Sequence, residues 1–126
     1  MLFRSGRSAN SSNNFPSNQV DPEEFIRNYY SNINKRNYDS TWASLSSNFQ
    51  SMSGGFSGYK DWWDSVDKIQ VISTTLMNND NGQATVNAKI RYFMKTGVDV
   101  DDEKGLFYLS WNSDKKNWEL VKKTSP

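Results

Sequence analysis

Ala84-Thr85-Val86-Asn87-Ala88-Lys89-Ile90-Arg91-Tyr92-Phe93-Met94-Lys95 decides how this chain folds. Ala84, Val86, Ala88, Ile90, Tyr92 and Met94 hold every second position, and mostly polar residues lie between them, so an extended segment here has one buried face and one mostly wet face. Upstream, Ile69 and Val71 begin a β-rich run through Ile72, Thr74 and Thr75 towards Asn78, and Asp80-Asn81-Gly82 supplies hairpin chemistry. Downstream, Thr96 to Lys104 reads as a polar connection and Leu106 to Trp111 as a strand apolar on both faces. Asn112 to Asn117 turns the chain into a last strand, Trp118 to Lys122.

Before residue 69 the period is helical. Asp21-Pro22-Glu23-Glu24 combines a capping acid, proline at the first helical position and acids in the first turn. Phe25, Ile26, Tyr29, Tyr30 and Ile33 then share one arc of about 140°. Tyr38, Trp42, Leu45 and Phe49 predict a second helix that carries Trp42 into the core, and Ser51 to Gly58 reads as a loop. Tyr59, Trp62, Trp63 and Val66 share the arc of a third, short helix. Three helices followed by four antiparallel strands make an α+β fold, with the helices on one face of the sheet.

The chain has 126 residues, room for one ordinary domain, expected over residues 21–124. Five Trp, six Tyr and seven Phe point to an aromatic core. Residues 1–20 hold ten Ser, Asn or Gly, two Arg and no acid, a composition expected of a flexible leader. A formal charge of +1 argues against nucleic acid as partner, and no apolar run is long enough to read as a membrane helix; a cytoplasmic location is expected. Without Cys or His, thiolate and imidazole catalysis and the usual zinc ligands are excluded. No cofactor or metal is expected.

The runs Pro22 to Tyr30, Tyr38/Trp42/Leu45/Phe49, Gly58 to Trp63, Ala84 to Val86 and Arg91 to Lys95 together resemble a nuclear transport factor 2-like domain. More narrowly, they are similar to the accessory domains at the C-terminal end of some cyanobacterial serine/threonine protein kinases. The resemblance covers about residues 20 to 123. It implies a cone: a strongly curved sheet of four or more strands wrapped around the first helix, with a pocket or a filled core between them. It implies no kinase activity, because the phosphate-binding and catalytic-loop motifs of a kinase are missing.

Some members of that superfamily, ketosteroid isomerase and scytalone dehydratase among them, are enzymes that use an acid or a histidine inside the cone. Here Asp61, Asp64, Asp67 and Glu119 are the nearest acids to such a place, and their spacing reads as solvated helix face and cross-strand ion pair. Asp99, Asp101, Asp102 and Glu103 read as a solvated hairpin loop, since they lack the spacing of a calcium loop. Lys115-Lys116 and Lys122-Lys123 read as solubilising turn and edge charges. Tyr29, Tyr30, Trp42, Trp63, Tyr92 and Phe107 are the candidate ligand-binding residues, and they could equally be core.

The expected role is a noncatalytic binding or interaction domain, an accessory or sensory module that acts with a kinase or another signalling protein. An isomerase or dehydratase using Asp or Tyr is the rival. Expected partners are a small apolar ligand, a signalling protein, or a second copy packed on the outer sheet face near Phe93.

Overall fold

The structure, a computed structural model, describes residues 20–125, so the expected leader, Val20 excepted, lies outside the described residues. Four helices, α1 (Pro22–Asn34), α2 (Tyr38–Ala43), α3 (Ser47–Met52) and α4 (Gly55–Asp64), precede four strands, β1 (Val66–Asp80), β2 (Gln83–Met94), β3 (Asp99–Asn112) and β4 (Asn117–Thr124). The strands form one antiparallel meander in chain order.

α1 starts where its cap places it, with the Glu23 amide donating to Asp21 Oδ1 at 2.9 Å. Its expected apolar arc is buried in full. The second expected helix is two helices. Leu45 leaves the helical path to bridge Leu120, with the Ser46 amide donating to the Leu120 carbonyl and the Leu120 amide to that of Ser44. Ser46 Oγ then accepts from the Phe49 amide at 3.2 Å and starts α3. The expected loop from 51 to 58 is the end of α3, a turn in which Gly54 and Gly55 adopt φ of 77° and 78°, and the start of α4.

The sheet curves because β1 is bulged repeatedly. Asp67, Ile72 and Met77 are each an extra residue against β2, five positions apart. Every bulge bends its strand and increases local twist. The spare residues Ile72 and Met77 point to solvent, 41% and 60% exposed. The concave side holds α1, which also covers the β1 edge. Asn34 donates to the Ile69 carbonyl and accepts from the Ile69 amide, both at 2.8 Å, and Glu23 accepts from the Leu76 amide at 3.0 Å. Side chains of α1 thus supply partners to an edge strand that would otherwise offer them to another chain.

Between α1 and the sheet lie Ile26, Ile33, Val86, Ile90, Phe107, Trp118 and Leu120, almost wholly shielded from solvent. On the convex side Leu106 and Tyr108 are half-buried. Lys122 Nζ stands 5.2 Å from the Tyr108 ring centre and Lys68 Nζ 4.9 Å from that of Phe93. A second copy is the cover expected for this face from sequence, and these lysines supply part of it within one chain.

Candidate functional site

A cavity of about 630 Å³, open on one side to solvent, lies between the helices and the sheet. Its walls come from every layer: Tyr29 and Tyr30 from α1, Tyr59 and Trp63 from α4, Tyr92 and Met94 from β2, and Phe107 from β3. Spacing puts them there. Tyr29 and Tyr30 belong to the buried arc of α1, and Tyr92 and Met94 continue the inward phase of Ala84 to Ile90. The Tyr30 ring meets Phe107 and Trp63 edge to face at 6.0 and 6.1 Å between centres. Such an aromatic wall with a few polar groups is the usual makeup of a small-molecule site.

The phenols form a directional chain. Tyr59 Oη donates to Thr41 Oγ1 at 2.7 Å, and Thr41 donates onward to the Tyr38 carbonyl at 3.2 Å. A phenol has one proton, so Tyr29, 2.8 Å from Tyr59 Oη, is the donor in that contact. Tyr30 and Tyr92 hydroxyls stand 3.4 Å apart, longer than the usual 2.5 to 3.0 Å. Burial, reinforced by the neighbouring phenols, pushes Tyr29 and Tyr30 well above the ordinary tyrosine value of 10.0. Burial also raises Tyr59 and Tyr92, against the pull of their hydrogen bonds.

Asp101, Asp102 and Lys123 also line this cavity, and none of them is among the residues assigned to it from sequence. β3 begins at Asp99, so the expected polar connection from 96 to 104 is largely strand and Asp102 is not in a solvated loop. Gly105, Phe107 and Leu109 are buried on the inward phase of β3, which carried back by twos would turn residue 103 inward and Asp102 outward. The pairing prevents this: Ala88 faces Gly105 and Ile90 faces Asp102, with one residue between them on β2 against two on β3. The extra residue flips the phase and aims Asp102 inward.

The same happens on β4. Leu109 faces Leu120 while Tyr108 faces Lys122, so Val121 is extra, and Lys123 comes to face the inward Phe107. Lys123 is therefore not simply an edge charge. Its Nζ donates to Asp102 Oδ2 and, at 3.0 Å, to Ser125 Oγ, which donates to Asp102 Oδ2 at 2.9 Å. The two side chains are 13% and 25% exposed. Burial pushes the Asp102 carboxyl up, but the bonds from Lys123, Ser125 and the Lys104 amide outweigh it and hold the group below its ordinary 3.8. Gly105 was the legible signal, because an isolated glycine in a strand marks a bulge or a close backbone approach.

Of the six candidate residues, Tyr29, Tyr30, Trp63, Tyr92 and Phe107 line the cavity. Trp42 does not. It is half-buried against Phe56 and Tyr59, ring centres 5.6 and 5.1 Å away. Trp62, expected on the buried arc of the third helix, lines the cavity but is 52% exposed. Asp64 is engaged elsewhere by Tyr38 and Lys60, and Glu119 by Lys115 and Asn112. Asp61 and Asp67 are exposed. Among the described residues no group of three or more acids could hold a metal ion, and no helix is long and apolar enough to cross a membrane.

A curved antiparallel sheet closed by helices into a cone defines the nuclear transport factor 2-like fold, and the chain has it. It is similar to an NTF2-like protein of unknown function from Burkholderia pseudomallei, with a TM-score of 0.51 and 11% identity over 82% of this chain and 88% of that one. A SEC-C motif-containing protein from Rhodopseudomonas palustris has a TM-score of 0.65 and 12% identity, over 83% and 78% of the two chains. A putative aromatic ring hydroxylase from Novosphingobium aromaticivorans has 0.55 and 13%, over 80% and 82%. In sequence, the chain is 36% identical over 102 residues to the serine/threonine-protein kinase PknA of the cyanobacterium Nostoc, a match covering 77% of this chain and 18% of the kinase. The chain thus spans under a fifth of the curated relative that it matches. No protein-family profile matches it.

Proposed function

We propose that the chain is a noncatalytic binding domain, an accessory module of kinase-linked signalling whose cone holds a small ring compound. One observation carries this reading: the cavity is walled by aromatic rings, while its carboxylate and its phenols are displaced from neutrality in opposite directions. General acid–base catalysis works best with a group whose pKa lies near the working pH. Asp102, ion-paired and held low, is a weak base, and Tyr29 and Tyr30, held high, are weak acids. They bind better than they transfer protons. The similarity to a stretch of PknA supports the accessory role.

The rival, an isomerase or dehydratase, is favoured by one feature, a carboxylate inside the cone near the Tyr30 and Tyr92 hydroxyls. A single experiment addresses both readings. N-phenyl-1-naphthylamine at about 100 times its Kd should stabilise the fold by about 2.7 kcal/mol and raise Tm by several degrees. Met94→Trp, which narrows the cavity, should reduce the shift. An unchanged wild-type Tm would rule out the binding reading. Conversion of ring ketones or alcohols, followed by mass spectrometry and lost in Asp102→Asn, would favour the enzyme.

A further inference from the structure

Four charged groups belong to the cavity wall or touch it, and they are spent on one another. Asp101 takes the Arg91 guanidinium on two oxygens, at 2.7 and 3.1 Å. Asp102 Oδ2 accepts from both Lys123 and Ser125, and Oδ1 accepts from the Lys104 amide at 3.3 Å. Lys123 also lies over Phe107, 5.6 Å from its ring centre. What stays open to a guest is uncharged or already compensated: the loosely paired Tyr30 and Tyr92 hydroxyls and one ammonium proton of Lys123.

The two bulges give this arrangement its effect. They turn Asp102 and Lys123 inward in place of Glu103 and Lys122, and so set this particular pair against Phe107 and the phenols. A lysine alone in this aromatic cavity would attract ring acids. With Asp102 beside it, an incoming anion meets a carboxylate already seated on the cation, and must lie against that carboxylate or break the pair. A neutral guest meets neither difficulty. Its rings replace water against Tyr30, Trp63 and Phe107, and one oxygen or nitrogen can accept from a phenol.

We propose that the Asp102–Lys123 pair is a charge filter that admits uncharged aromatic ring compounds and excludes the corresponding ring acids. The filter rests on the reading that the cone holds a ligand, and it makes Asp102 a determinant of specificity. Leaving a buried charge without its partner changes what a site will take, because the remaining charge seeks a new counterion.

Two dyes of matched shape test it by fluorescence titration at pH 7.5 and 0.15 M salt: N-phenyl-1-naphthylamine, which is neutral, and 8-anilino-1-naphthalenesulfonate, with the same rings plus an anion. The wild-type protein should bind the neutral dye at least tenfold more tightly. Asp102→Asn should tighten the sulfonate at least tenfold while leaving the neutral dye within threefold. Lys123→Met, an independent variant in case the first does not fold, should weaken the sulfonate further and leave the neutral dye within threefold. Equal wild-type affinities, or a ratio that neither folded variant moves, overturn the filter and leave the cone a ligand site. Binding of neither dye overturns the ligand-binding reading and the filter with it.

Discussion

A Cβ placed on Gly105 would stand 3.3 Å from Asp102 Oδ2 and 3.1 Å from the carbonyl oxygen of Ala88. The glycine is where the β3 bulge closes, and its missing side chain is the space into which Asp102 folds. Both contacts are tight, and the second is with backbone that cannot swing aside. Gly105→Val should therefore destabilise the domain by about 1 to 3 kcal/mol, the usual cost of overpacking. Urea melts of the two proteins measure this, and a change within about 0.5 kcal/mol would show that the bulge does not depend on the glycine.

Arg36 joins the helices to the sheet. From a backbone at φ 63° its guanidinium donates to the carbonyls of Trp63, Val66 and Asp67, at 2.7 to 2.9 Å, and to the Tyr38 hydroxyl at 2.9 Å. Bonds from a charged donor contribute more than neutral ones. Arg36→Ala should cost about 2 to 4 kcal/mol by denaturant titration. Arg36→Gly, which relieves the positive φ, should recover part of the loss; equal melts for the two variants would mean that the backbone at 36 is unstrained.

Trp42 packs against the core from its margin, whereas Trp118 lies wholly inside it. Trp118 is 1% exposed, and its indole donates to the Val20 carbonyl at 2.7 Å. Truncating it to Ala should cost about 3 to 5 kcal/mol, against about 1 to 2 kcal/mol for the half-buried Trp42. A larger loss for Trp42→Ala than for Trp118→Ala in the same melts would reverse this ordering.

Tyr29 and Tyr30 have folded-state values well above 10.0, so their neutral forms are the native ones. The stability tied to them is fully present below pH 10 and is lost as pH rises past it, because the unfolded chain releases those protons first. Absorbance at 295 nm should therefore show these phenolates appearing together with the loss of near-ultraviolet circular dichroism. Complete, reversible ionisation of all six tyrosines in a protein with an intact spectrum would contradict their burial.

The elements legible in the sequence are those whose period is unbroken. The arc of α1 and the alternation of β2 run without interruption, and their buried faces follow from spacing alone. The split between α2 and α3 was not legible, because Leu45 pairs with Leu120, seventy-five residues away along the chain. The charged half of the site was hidden for the same kind of reason. A bulge depends on the partner strand, yet it reverses which residues face inward, so Asp102 and Lys123 looked like solvated charges. The aromatic half was visible because Tyr29, Tyr30 and Tyr92 lie on stretches that keep their phase.

That the cone interior is a ligand site is tested most directly by the five tryptophan indole N–H signals in a proton–nitrogen correlation spectrum. Trp63 lines the cavity, whereas the Trp118 indole is bonded to the Val20 carbonyl away from it. Titration with N-phenyl-1-naphthylamine should move the Trp63 signal saturably and leave that of Trp118 in place. Saturable movement of Trp118 with Trp63 unmoved would contradict the account.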